Sequence, residues 1–237
     1  MHASISLRSL VAVATLAVAG GAAQADPVAL TKLTGLAGGG GTAVYKASLG
    51  VLPGSFAAIS ISDVSGGFGG AAGQFTGFDL DAIKLSTTDC ADAACAQAAG
   101  GLSVFDFISG IVFGPGTQRA PADAKLFGTG AAGTTVDDAV ATLGLFDAVS
   151  STGPDAAGFL SLGDNGSIAF NLTALVSTAG LYLYIGEVGD NGEVAGSNIN
   201  LLQNPVPEPS TYALMLAGLG AIGWLTRYQR RQRHGGR

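Results

Sequence analysis

Residues 167–173, Ser-Ile-Ala-Phe-Asn-Leu-Thr, alternate core-forming and smaller or polar side chains, and that period of two fits a half-buried β-strand and no helix. Ile168, Phe170 and Leu172 face one way, and Ala169, Asn171 and Thr173 the other. The pattern returns at 181–185, where Leu181, Leu183 and Ile185 alternate with Tyr182 and Tyr184. Further strand candidates are 42–49, 56–64, 74–85 and 104–113, each bounded by Gly, Pro, Asn or Asp. Short strands punctuated by turn residues predict a mostly β chain with an antiparallel β-sandwich or jelly-roll-like body. One short helix is expected in "TTVDDAVATLGLF", capped by Thr134 or Thr135, with Asp137 and Asp138 in the first turn where the helix dipole favours acids. The 38 glycines would suit a low-complexity chain, but all eleven Phe fall between 56 and 170 and supply a core.

Both ends read as processing signals flanking that body. Arg8, an apolar run over 10–19 and Ala23-Gln24-Ala25 before Asp26 form the three parts of a secretory signal peptide, with cleavage expected after Ala25. At the other end residues 212–225 carry no charge and, at a helical rise, reach roughly 21 Å against a hydrocarbon core of about 30 Å. Ser210, Thr211 and Thr226 extend that helix, so a transmembrane helix is expected over 211–226. Arg227, Arg230, Arg231, Arg233 and Arg237 follow it, a basic stop-transfer cluster that places this end in the cytoplasm and the body outside. The expected organisation is therefore a signal peptide at 1–25, an exported β-rich domain at 26–205 and a sorting segment at 206–237.

The body keeps five basic residues, Lys32, Lys46, Lys84, Arg119 and Lys125, against sixteen acids, a net charge of −11. A surface of that sign has no cation supply for phosphates, which excludes nucleic acid as a partner and suits divalent cations. Cys90 and Cys95 are the only cysteines, and in an exported chain they are expected to form a disulfide worth about 2 kcal/mol for so small a loop. The only histidines are His2 and His234, outside the body, which removes Ser-His-Asp, Cys-His and histidine-zinc chemistry together. Gly128, Gly130 and Gly133 make a G-x-G-x-x-G, but no alternation of strands and helices follows to build a dinucleotide fold. Asp79, Asp81, Glu187 and Glu193 are the carboxylates available for glycoside hydrolysis, although the body has no tryptophan to stack a sugar.

Gly163-Asp-Asn-Gly166 and Gly189-Asp-Asn-Gly192, the second followed by Glu193, are similar tetrapeptides. Asn-Gly favours a hairpin turn, the first reading here; Asp164, Asn165, Asp190, Asn191 and Glu193 are the candidate calcium ligands if it is more than a turn.

The terminal stretch resembles the PEP-CTERM sorting domain of exported bacterial proteins. Val206, Pro207, Glu208, Pro209 and Ser210 carry the motif, followed by the apolar span and the arginine cluster. Pro207 and Pro209 hold Glu208 extended and open to an enzyme. The resemblance implies export, a transient anchor in the inner membrane, and processing near the motif by a membrane-embedded exosortase. It further implies delivery to the surface or extracellular matrix of a Gram-negative bacterium that makes exopolysaccharide. The expected protein is a non-enzymatic surface or biofilm-matrix component whose partners are the export machinery, the exosortase, the membrane and exopolysaccharide. No cofactor is expected beyond the calcium just named. Two alternatives stay open: a calcium-dependent carbohydrate-binding module or adhesin, and a glycan-acting enzyme with paired carboxylates.

Overall fold

The computed structural model describes residues 25–39, 41–52, 54–64, 71–149, 152–193 and 197–234. The expected signal peptide, Ala23 included, lies outside the described residues apart from Ala25.

Among the described residues the strands are β1 (Ala25–Pro27), β2 (Thr31–Lys32), β3 (Thr42–Ser48), β4 (Ser55–Asp63), β5 (Asp79–Ser86), β6 (Ile111–Gly114), β7 (Leu160–Ser161), β8 (Ser167–Ser177), β9 (Tyr182–Val188) and β10 (Ser197–Leu202). They form two five-stranded sheets, β1-β10-β4-β8-β6 (sheet I) and β2-β3-β9-β5-β7 (sheet II), in which the paired strands run antiparallel. The expected mostly β, sandwich-like body is present. The inward period-two positions of both sheets meet in one core: Ile59, Ile61, Ile168, Phe170, Ile199 and Leu201 from sheet I against Leu80, Ile83, Leu85, Leu183 and Ile185 from sheet II.

The two outer faces differ. Sheet II is covered, with Val44, Ala82 and Tyr184 under Cys90, Ala93, Ala96 and Phe146. Its cover includes α1 (Ala93–Ala98), which the sequence reading did not anticipate. Asp92 caps it by accepting the Cys95 amide at 2.8 Å, the expected Cys90–Cys95 disulfide ties its first turn to the preceding loop, and Lys84 donates to the carbonyls of Ala96, Gln97 and Ala99 at its end. Sheet I instead carries small outward residues such as Ser60, Ser62 and Ala169 beside Asn171.

Three expectations need correction. The strand candidate at 104–113 reduces to β6, because the Asp106 carboxylate accepts the Ile108 and Ser109 amides at 3.0 and 2.9 Å and turns the chain. The candidate at 74–85 starts only at Asp79, after a short 3₁₀ turn at Gly73–Phe75. The helix in 134–146 is a single turn, α2 (Asp138–Ala141), whose N-cap is Asp137 without a side-chain bond. Gly130 donates to Thr135 and Val136 bridges Thr129, so residues 134–136 are held as a hairpin arm and cannot start a helix. Thr142, left-handed at φ 41°, ends it.

The terminal helix α3 (Pro209–His234) forms where the apolar span was expected. Among the described residues, however, no helix is long and apolar enough to cross a membrane. The uncharged stretch of α3 is interrupted by Gly218, Gly220 and Gly223 and opens on Ser and Thr, which dilutes its hydropathy. It is not packed into a core either, since Leu214, Leu216, Leu219, Ile222 and Trp224 are all exposed.

Candidate functional site

The two Gly-Asp-Asn-Gly stretches are turns, but not hairpin turns. The first joins β7 of sheet II to β8 of sheet I, and the second joins β9 of sheet II to β10 of sheet I. Both are corners at one end of the sandwich, and the end of β4 lies between them: Ser62 pairs with Ser167, and Asp63 with Ser197. Their sharpness comes from left-handed residues, Asn165 at φ 61° and Gly163 at 77° in one, Asp190 at 50° and Gly192 at 86° in the other. At the first corner backbones touch, since a Cβ on Gly166 would lie 1.9 Å from the Leu162 carbonyl oxygen.

Acids crowd this end. Asp63 continues the inward series Ile59, Ile61 of β4, and Glu187 continues Leu183, Ile185 of β9. Asp63, Asp79, Glu187 and Glu193 are each at most 1% exposed. The Asp63 carboxylate accepts the Asn165 amide at 3.3 Å, and the Glu193 carboxylate accepts the Asp79 amide at 3.4 Å. Ser161 donates its hydroxyl to Asp79. Arg119 forks onto Asp164, with Nη2 at 2.7 Å and Nε at 3.0 Å, and its charge also acts on Glu193 and Asp79.

One guanidinium among so many carboxylates leaves negative charge buried, and the ionisation equilibria respond. Burial pushes Glu187 up to about 8, the Glu193 charge adds to this, and the Asn191 and Asp190 amides oppose it. Neither carboxylate oxygen of Glu187 makes a hydrogen bond of ordinary geometry. Burial likewise raises Glu193 to about 8 and holds Asp79 well above the ordinary carboxylate range, the latter with help from Glu193.

The five candidate calcium ligands thus lie at one end of the fold but point to different partners. Asp164 is held by Arg119, Asp190 pairs with Lys32 toward solvent, and Asn191 Oδ1 accepts the Glu193 amide at 3.2 Å. Asn165 contributes its backbone amide, and Glu193 is buried. Among the described residues no three His, Cys, Asp or Glu side chains converge as a ready metal centre. Of the four carboxylates considered for glycoside hydrolysis, Asp81 stands apart, accepting Thr42 Oγ1 at 2.6 Å and the Asp147 and Ala148 amides at 3.2 Å. All four are buried rather than lining one open cleft. The G-x-G-x-x-G stretch, with Gly128 at φ 74° and Gly133 at 71°, bends a hairpin and leads into no long helix. Sequence reasoning overlooked Asp63 and the central position of Arg119. The signal for Asp63 was present, because its strand alternation carries an acid onto the inward face.

The second feature is the sorting segment itself. Its chain crosses the outer face of sheet I, where Asn171 grips Val206 at two points: Nδ2 donates to the Val206 carbonyl at 2.9 Å, and Oδ1 accepts the Val206 amide at 2.7 Å. Pro207 and Glu208 are exposed and outside any strand or helix, the Glu208 carbonyl accepts the Thr211 amide at 2.9 Å, and Pro209 begins α3, at the position where a missing N–H costs nothing. Glu208 borders a shallow cleft of about 340 Å³ whose walls include Phe107, Ile111, Phe113 and Val136. Of the basic stop-transfer residues, Arg227, Arg230, Arg231 and Arg233 all belong to α3.

Residues 205–231 match the family model of the PEP-CTERM protein-sorting motif. The chain carries that motif, which supports an exported protein processed by an exosortase. No curated protein and no solved structure matches the chain.

Proposed function

We propose that this chain is a non-enzymatic structural protein of the cell envelope or extracellular matrix, exported as a folded β-sandwich and addressed through its C-terminal segment. The observation that carries the reading is the sorting motif at 205–231, which runs from the end of a closed body through most of a helix whose apolar side chains Leu214, Leu216, Leu219, Ile222 and Trp224 are exposed. Such a helix needs an apolar surrounding that the body does not provide, and a membrane is the surrounding the motif points to. α3 then serves as a temporary anchor in the inner membrane, with the arginines on the cytoplasmic side. Processing near Pro207-Glu208-Pro209 frees the body for the surface of a Gram-negative cell or its exopolysaccharide, in a biofilm setting. The burial of Asp79, Asp81, Glu187 and Glu193 favours a non-catalytic body, because a glycosidase must bring two carboxylates against the sugar. Intact mass of the protein from cells and from medium tests the reading. Released protein is expected to end before Arg227; a released form retaining Arg227 and the residues after it overturns processing at the motif.

A carbohydrate-binding body is the second reading. It is favoured by the acidic end of the sandwich, whose corners offer oxygen ligands to calcium and, through it, to a glycan.

A further inference from the structure

We infer that the outer face of sheet I latches the sorting segment at Val206, so that the body competes with the sorting enzyme and processing proceeds from the unlatched chain. The inference rests on the reading that the segment is trimmed near its motif. The carrying observation is the geometry at Asn171. Its carboxamide holds a donor and an acceptor side by side, as a neighbouring antiparallel strand does. It engages both backbone groups of Val206, with Nδ2 donating to the carbonyl at 2.9 Å and Oδ1 accepting the amide at 2.7 Å. Val206 belongs to the stretch matched as the sorting motif. An enzyme that reads an extended chain through its backbone needs those same two groups. Body and enzyme therefore exclude each other at this residue.

The latch can open without unfolding the body. Its segment leaves the core at Leu202, buried at the end of β10, and passes into α3 at Pro209. Between them Gln203, Asn204, Pro205, Pro207 and Glu208 are exposed, and Val206 is half-buried. Packing around Val206 is loose. It borders a trough of about 300 Å³ that includes the small outward residues Ser60, Ser62, Ser167 and Ala169, while Glu208 borders the cleft of about 340 Å³. Val112 and Phe113 of β6 wall both hollows. With hollows on either side, lifting the segment breaks few apolar contacts, so the two hydrogen bonds supply most of the hold, about 30-fold. Asn171 is itself positioned by the sheet. Its strand pairs with β4 and β6, and its amide donates to the Gly110 carbonyl at 2.7 Å. The latch therefore exists only once sheet I has formed.

The test follows the full chain in its own cells by pulse-labelling and intact mass, beside amide hydrogen exchange at Val206 in the purified full chain. Asn171→Ala removes both bonds from an outward position and leaves the inward row of β8 intact. Thr173→Ala is the control, since Thr173 lies on the same outward row but its hydroxyl donates to the Val104 carbonyl at 3.3 Å. Asn171→Ala should raise the rate at which the trimmed form appears at least about tenfold, with the C-terminus unchanged, and speed Val206 exchange by about 10- to 30-fold. Thr173→Ala should change neither. Trimming of Asn171→Ala at the parent's rate, or more slowly, overturns the latch, and so does Val206 exchange that the substitution leaves unaltered. Failure of the underlying reading looks different. If neither the parent nor the variant is trimmed, processing at the motif falls and the inference with it, whereas equal trimming of both removes the latch alone.

Discussion

Asp81 shows how a buried acid can tie stability to pH without any catalytic role. It accepts the Thr42 hydroxyl and two loop amides, yet burial outweighs them and pushes its carboxyl up to about 7. The folded protein therefore holds this proton more tightly than the unfolded chain does. Its contribution is fully present below the ordinary carboxylate range near 4 and is lost as pH rises to about 7. Asp106, held below its usual range by Ser109, acts only beneath that window. Glu187 and Glu193, raised to about 8, and Asp79 act in the same direction, so thermal melts should show stability falling from pH 4 to about 8. Asp81→Asn keeps the shape, lets the amide donate to Thr42, and should make that slope shallower while exceeding the parent by about 2 kcal/mol at pH 8; an unchanged slope would show that the proton is not on Asp81. Steric limits are as local. At Gly166 a Cβ would sit 1.9 Å from the Leu162 carbonyl, a backbone atom with nowhere to go. Gly166→Ala should cost about 3 kcal/mol in a denaturant titration, whereas Gly100→Ala, with open space around it, should cost less than about 0.5.

Among the elements, Asn171 on β8 connects the body to the sorting segment. Its two hydrogen bonds to Val206 occupy the backbone groups that an extended substrate would offer to a peptidase. At about 1 kcal/mol each, they hold the segment down by a factor of about 30. Asn171→Ala should accelerate limited proteolysis within residues 203–208 by tenfold or more and leave the melting temperature of the body within about 2 °C; equal protection in the variant would show that other contacts fix the segment. The strand carrying Asn171 was legible in the sequence, because alternation over 167–173 already assigns Ile168, Phe170 and Leu172 inward and Asn171 outward. The same logic reaches part of the candidate site, since Asp63 and Glu187 simply continue two inward series. What alternation does not reveal is which sheet a strand joins. The Asn-Gly stretches read locally as hairpins, and only the long-range pairing of Asp63 with Ser197, or of Ser62 with Ser167, makes them corners between sheets. Nor does it reveal partners. The fork of Arg119 onto Asp164 joins residues 45 positions apart, and the last carbonyls of α1 are satisfied by the Lys84 side chain, 12 to 15 positions back on β5.

At the scale of the whole molecule, charge separates what is delivered from what directs it. The body carries −11, while the segment from Val206 carries one acid and five arginines, so the two parts respond oppositely to an anionic membrane surface. Apolar length alone holds α3 in a bilayer poorly: its uncharged stretch spans roughly 21 Å against about 30 Å of hydrocarbon. The arginines must therefore contribute, at about 1 kcal/mol each beside anionic lipid. Converting Arg227, Arg230, Arg231 and Arg233 to glutamine removes about 4 kcal/mol, close to a thousandfold in membrane partition. If retention at the membrane precedes processing, this variant should leave the inner membrane with α3 still attached, and its mass in the medium should include residues 210–237. A variant that is retained and trimmed like the parent would place the whole of recognition in Pro207-Glu208-Pro209 and the apolar turns of α3, with the basic tail dispensable.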